Sequence, residues 1–360
     1  MRLSYVFVTM ITLLFLGACR PDPPGPTNSS GNNPWLIPDN EVRDGGPGKD
    51  GIPSVDDPVF TMIESSSKLL DDNELVVGFK YGNITRAYPH TILDWHEIVN
   101  DKIDDLSFSV IYCPLTGSAT IWNREYDGKT GSFGVSGLLY NTNIIPYDRK
   151  TDSNWSQMRL QCVNGERMGD HPETFNVVET TWQNWRKMYP SSEVMTTNTG
   201  FNRDYGRYPY GGYRTNTQLI FPVSNLDDRL HAKERALAVI VDGTARGYPI
   251  SALGESELDD QITVIQEEVN GLPIVVAGSA GRNLGVAFQR QLADGTLLEF
   301  EAVNSGDNIV LRDQEGNEWD VFGYAINGVR QGQQLQRVES FIAYWFAWGT
   351  FYDDLSLYEE

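Results

Sequence analysis

The sequence has few cysteines, few basic residues and no apolar run long enough to cross a membrane. Three cysteines in 360 residues exclude a scaffold built on disulfides. Against 28 Lys+Arg stand 49 Asp+Glu, a net charge of −21. No basic patch interrupts that acidity, so nucleic acid and anionic lipid surfaces are excluded as electrostatic partners. The apolar run Val6 to Leu16 falls short of the ~20 residues a spanning helix needs. What is present is a folding composition: 40% hydrophobic, 11% aromatic and only 21% charged residues are far from the profile of a disordered chain. At ~150 residues per domain, the length predicts about two domains.

Arg2 followed by the apolar run reads as a signal peptide over residues 1–18. Its end, Leu16-Gly17-Ala18-Cys19, resembles the bacterial lipobox, which implies cleavage before Cys19 and lipidation there. At ~0.8 kcal/mol per buried methylene, several acyl chains anchor a protein durably without a transmembrane helix. Arg20, where an inner-membrane lipoprotein carries Asp, resembles the outer-membrane sorting pattern. The expectation is an exported protein held to the cell envelope, facing the periplasm from the outer membrane in a two-membrane cell. Residues 20–58 hold nine of the 18 prolines and six glycines. Such a composition predicts a stiff tether over 19–58, with its distal part able to pack.

The rest reads as a duplication. Val163-Asn164-Gly165-Glu166-Arg167-Met168-Gly169 recurs as Ile326-Asn327-Gly328-Val329-Arg330-Gln331-Gly332. In the same register Trp182, Trp185 and Tyr189 fall on Trp345, Trp348 and Tyr352, and upstream Arg86-Ala87-Tyr88-Pro89 matches Arg246-Gly247-Tyr248-Pro249. Leu106 to Arg124 can be laid on Leu272 to Arg290. A first module with its Gly/Tyr/Pro-rich connector (Gly200 to Tyr213) therefore covers 59–213, and a second, degenerate one covers 214–360. Short runs such as Leu75–Phe79, Phe108–Tyr112 and Ala119–Trp122, with turn signals at Asp127-Gly128 and Asp294-Gly295, predict strands. Helices are expected over His90–Val99, from a Thr180 or Thr181 cap to Pro190, and over Phe341–Phe351. The tryptophans on the last two helices read as core contacts that dock each helix on its sheet. The fold class is thus β-dominated α+β, with two similar strand-rich modules, each bearing a short Trp-carrying helix.

Chemistry is sought where one copy holds reactive groups that the other lacks. His96 and Cys113 meet that criterion, because the aligned stretch Gly254–Glu257 and the position near Ser279 contain neither His nor Cys. Cys113 ends a strand before a turn, where backbone N–H groups can lower a thiol pKa and form an oxyanion hole. His96 would be the base, with Glu97 or Asp101 as orienter. The same thiolate and imidazole suit a soft metal, copper or zinc, with Met158, Met168 or His171 as further ligands. Packing of both residues in the core is the third reading. Cys162 aligns with Ala325, a small buried position, although export would also permit a Cys113–Cys162 disulfide. A second polar cluster offers Ser136, Asn141, Arg149, Trp155 and Gln157 as ligand-binding candidates. Arg149 is suited either to a ligand carboxylate or to its neighbour Asp148. His90, His171 and His231 read as surface residues.

Asp50-Gly51-Ile52-Pro53 with Asp56-Asp57-Pro58, Arg86-Ala87-Tyr88-Pro89, Trp95 to Asp101, Tyr112-Cys113-Pro114-Leu115, Phe133-Gly134-Val135-Ser136-Gly137 and Tyr147-Asp148-Arg149 stand in one order. Together they resemble the bacterial family called domain of unknown function 3179 over about residues 43–355. In many members the Cys-Pro-Leu segment looks like Cys-Pro-Leu-Cys, whereas Thr116 stands here. That departure removes one sulfur from any dithiol or two-sulfur metal site. Three readings follow: a binding lipoprotein holding a soft metal through Cys113 and His96, a cysteine-dependent hydrolase or acyl transferase using the same pair, and an assembly or interaction protein without a reactive site. Apart from the membrane reached through the lipid anchor, neither a protein nor a small-molecule partner is named by the sequence.

Overall fold

The computed structural model describes residues 34–63, 70–256 and 260–359. The expected signal peptide and Cys19 lie outside these residues. The described chain is strand-rich with three short helices, α1 (His90–His96), α2 (Trp182–Met188) and α3 (Trp345–Phe351).

Each half begins with a hairpin whose two-residue loop has the positive φ angles that match strand twist. Leu75–Tyr81 pairs with Ile84–Pro89, closing at Tyr81 and Ile84 around Gly82 (φ 57°). Arg235–Val241 pairs with Thr244–Pro249, closing at Val241 and Thr244 around Asp242 and Gly243 (φ 50° and 81°). A strand flanks each hairpin antiparallel on one side, Val178–Thr181 or Glu339–Tyr344. Another lies parallel on the other side, Glu193–Met195 or Ser356–Leu357. Next come the antiparallel triplets Ile98–Ile103, Leu106–Cys113, Ser118–Asn123 and Thr263–Val269, Leu272–Ser279, Leu284–Gln289. The halves thus repeat one order of elements.

The recurring motifs perform the same local task in each half. Arg86 and Tyr88 converge on Asp101, with Arg86 Nη1 2.8 Å from Oδ2, and Arg246 and Tyr248 converge on Glu267. Trp155 Nε1 donates to Asp148 at 3.2 Å, and Trp319 Nε1 donates to Asp313 at 2.9 Å. The Asn-Gly-x-Arg-x-Gly turn closes with Gly169 N donating to Cys162 O at 2.9 Å, and Gly332 N to Ala325 O at 3.0 Å.

Two helix expectations need correction. α1 stops at His96 because Glu97 adopts φ 58° and the chain pairs as a strand from Ile98. Phe341–Tyr344 is strand, not helix. All four of its residues are buried, and a short apolar run buried on both faces carries no period that separates the two states. α2 begins as expected, with the Thr181 hydroxyl accepting from Asn184 N at 3.2 Å. Part of the expected tether packs: Val42–Asp44 pairs with Leu138–Tyr140, Val55–Asp56 pairs with Val99–Asn100, and Ile37 and Val55 are buried.

The helices tie the halves together. Trp182 and Trp185 of α2 share one buried cluster with Val76 and Ala87 of their own sheet and with Val275, Val286, Trp319 and Phe322 of the second half, the Trp185 and Phe322 rings lying 6.4 Å apart. Reciprocally, Trp345 and Trp348 of α3 share a cluster with Ala236 and Ala238 and with Ile111, Trp122, Phe133 and Trp155 of the first half. The described residues accordingly form one unit. Gly78 lets the Trp185 ring approach, since a Cβ there would lie 2.0 Å from Cζ3.

Two outcomes are expected in urea titrations. Trp348→Ala should cost ~3–5 kcal/mol, and Gly78→Ala about 1–3 kcal/mol from overpacking. Both variants should retain a single transition seen alike by fluorescence and circular dichroism, whereas separate transitions for the two halves would contradict the shared core.

Candidate functional site

Cys113 closes the strand Leu106–Cys113, and Pro114-Leu115-Thr116-Gly117 turns the chain back so that Ser118 pairs opposite it. Gly117 adopts φ 58° against the Tyr344 ring, which would lie 2.9 Å from a Cβ, so only glycine fits. Tyr344 N donates to Thr116 O at 2.8 Å, and Tyr213 OH donates to Leu115 O at 2.8 Å. Beneath the turn lies a buried polar network. The Thr116 and Ser118 hydroxyls are 2.8 Å apart, Ser118 Oγ donates to Gln157 Oε1 at 2.8 Å, and Asn143 Nδ2 donates to Thr116 Oγ1 at 2.9 Å. Gln157 Nε2 also donates to Ile111 O at 2.8 Å. A network satisfied in this way rigidifies the turn.

The thiol in this setting is not activated. Cys113 is 1% exposed, its Sγ lies 3.7 Å from Thr142 O, and burial, followed by the charge of Glu97, pushes its pKa up to about 11. A nucleophilic or metal-binding thiolate needs the opposite shift. His96 Nδ1 is 2.7 Å from Pro53 O and Nε2 is 2.7 Å from Tyr205 OH, while burial lowers the pKa of the ring. A carbonyl only accepts, so the proton sits on Nδ1 and Nε2 accepts from Tyr205. Both nitrogens are therefore engaged, and His96 and Cys113 are not assembled into a pair. The expected orienters serve elsewhere, Asp101 under Arg86 and Tyr88, and Glu97 under Tyr210. Among the described residues no group of three or more His, Cys, Asp or Glu is arranged to hold a metal. Met158 is packed in the core, Met168 is exposed, and His171 Nδ1 lies 2.8 Å from Leu160 O.

The connector and the chain just after it, Arg214 to Gln218, cover this region. Four consecutive residues each hold one piece of this cover. Asp94 takes Arg214 Nη2 at 2.6 and 2.8 Å, Trp95 Nε1 donates to Arg207 O at 3.1 Å, His96 takes Tyr205, and Glu97 Oε1 accepts from Tyr210 OH at 3.2 Å. Lys233 fastens the far end, donating to Asn216 O at 2.7 Å and Gln218 O at 2.8 Å. Burial pushes Asp94 up to about 7 against the pull of Arg214, and Glu97 up to about 7 against the Tyr210 hydrogen bond.

The remaining candidates do not converge on one site. Ser136 bonds Ile145 O, Asn141 Oδ1 accepts from Ser224 N at 2.8 Å, Trp155 caps Asp148, and Gln157 belongs to the buried network. Arg149 pairs not with Asp148 but with Asp56 at 3.0 Å and Asp50 at 3.2 Å, pinning the Asp-Gly-Ile-Pro segment whose Pro53 carbonyl holds His96. Cys113 and Cys162 are both free and buried, which removes the disulfide. His90, expected at the surface, is 3% exposed. Its ring lies 4.5 Å from that of Tyr112, with Nε2 2.9 Å from Glu179, and burial takes it down to about 4. His171 and His231 are exposed as expected.

A model of the family described as Protein of unknown function (DUF3179) matches residues 49–355. The chain belongs to this family. Neither the curated proteins nor the solved structures gave a match. The match begins at Lys49, so the DUF3179 domain includes the Asp50–Asp57 segment held by Arg149 and His96. Arg214, Tyr205, Tyr210 and Asp94 were not singled out from the sequence. The available signal was four tyrosines between Tyr205 and Tyr213 in a stretch otherwise rich in Gly and Pro.

The two carboxyls set a pH dependence. Their folded pKa values lie above the ordinary range, so the stability they permit is greatest below about pH 4 and is lost as pH rises through about 7. For Glu97 the loss is on the order of 3 kcal/mol. Glu97→Gln keeps an acceptor for Tyr210. Thermal melts should show this variant gaining on the parent between about pH 5 and about pH 8, and a constant difference across that range would contradict the buried, uncharged state of Glu97.

Proposed function

We propose that the protein is an exported binding protein, anchored to the envelope through Cys19 and facing the periplasm where there are two membranes. It works by holding a ligand or partner and not by chemistry at Cys113. The observation that carries this reading is the strap: Asp94, Trp95, His96 and Glu97 are each committed to the connector or the chain just after it, and Cys113 lies buried beneath the connector's tyrosines. In that arrangement His96 and Cys113 are structural, so both the cysteine-dependent enzyme and the copper or zinc centre lose ground to the binding reading. The Leu16–Cys19 motif supports the anchor, and the repeated order of elements supports an origin of the two halves by duplication.

Native alkylation kinetics and metal titration test the reading. With a pKa near 11, Cys113 should react with iodoacetamide at neutral pH at least ~100-fold more slowly than free cysteine, and should react fully once unfolded. Purified protein should retain no stoichiometric Cu(I) or Zn(II), and Cys113→Ala should change stability alone. Rapid alkylation that disappears in His96→Ala, or a bound metal lost in Cys113→Ala, would overturn it.

A further inference from the structure

Where the end of strand Leu75–Tyr81 meets the chain from Phe322 to Arg337, the two halves enclose a groove of about 460 Å³, within the range of small-ligand sites. Phe79 and Phe322 are buried at 2% exposure each, while the rings of Tyr81, Phe175 and Tyr324 are only partly buried. Both cations of the groove are neutralised. Lys80 Nζ is 2.6 Å from buried Asp320 and 4.5 Å above the Tyr324 ring, and Arg337 Nη2 is 2.7 Å from Glu339. On a chain of net charge −21, this groove is locally balanced and selects neither an anion nor a cation. The side-chain amides of Asn176 and Gln336 make no hydrogen bond to any described residue and supply donors and acceptors at its edge.

Aromatic faces attract polarised C–H groups, and planar amides pair with hydroxyls two at a time. Rings, free amides and a balance of charge together fit a molecule with apolar ring faces and many hydroxyls. We propose that this groove binds an uncharged oligosaccharide, with a sugar face on Phe175, a sugar against the edge of the Tyr324 ring that Lys80 covers, and hydroxyls on Asn176 and Gln336. An extended peptide fits less well, because it would add to a free strand edge. The edge strand here, Thr174–Phe175, has its Thr174 carbonyl occupied by Arg337. The assignment deepens the binding-protein reading and uses none of the Cys113 region. Fast alkylation of Cys113 would therefore sink that reading by itself, while a failed sugar titration with an inert thiol would sink only this groove.

The test is calorimetry and saturation-transfer NMR on the full chain with chitotriose, cellotriose and maltotriose, beside an uncharged hexapeptide. At least one triose should bind saturably. Tyr324→Ala and Gln336→Ala should each weaken that binding about tenfold, with melting temperatures and circular dichroism spectra held near those of the parent. Because Gln336 is exposed, its variant keeps the test sound if Tyr324→Ala fails to fold. Absence of binding to all three sugars, binding unchanged by Gln336→Ala, or binding of the hexapeptide alone would overturn the proposal.

Discussion

Reciprocal burial of tryptophan across the seam is the constraint on which the rest depends. Each half supplies a seven-residue helix too short to be stable alone. The indole rings of each helix belong to a buried cluster that joins its own sheet to the other half. Each half also has a core of its own, around Phe108 in the first and Val276 in the second. The connector, the buried turn after Cys113 and the groove at Phe79 and Phe322 all lie where the two halves meet, so their geometry is set by this packing and not by any local element.

Within that frame the first half differs from the second in its polar interior. The second half has a short 3-10 turn at Ile250–Ala252 where the first has α1, and Ser279 ends its strand as Cys113 ends the other. The extra length of α1 presents Asp94 to Glu97, and the connector with the chain just after it uses each of those residues. Burial then holds two carboxyls near neutrality and raises the thiol. A thiol and an imidazole close in sequence thus become parts of a clamp. His96 joins the Asp50–Pro53 segment on one side to Tyr205 on the other.

Arg149 illustrates how a residue chosen for its ligand chemistry can serve a fold. Its guanidinium spans Asp50, Ser54 and Asp56, fastening a segment whose Pro and Gly content alone suggests a stiff, extended tether. With Val55 buried and the strand Val55–Asp56 added beside Ile98–Ile103, that segment becomes part of the DUF3179 domain.

The strand-rich class, the Asp127-Gly128 hairpin turn, the Thr181 cap and the paired Trp motifs were legible in the sequence because they rest on local chemistry: β-branched runs, an Asp-Gly turn, a capping hydroxyl. The recurrence of Arg-x-Tyr-Pro and Asn-Gly-x-Arg-x-Gly was legible too, and each proves to have one fixed structural task. Other features were decided only by tertiary structure. Phe341–Tyr344 became a strand through burial on both faces, and His90 was drawn inside by Glu179 across the fold. Cys113 and His96 lie 17 residues apart in the chain yet face different partners, because side-chain direction and connector path are set by long-range packing that no local spacing encodes.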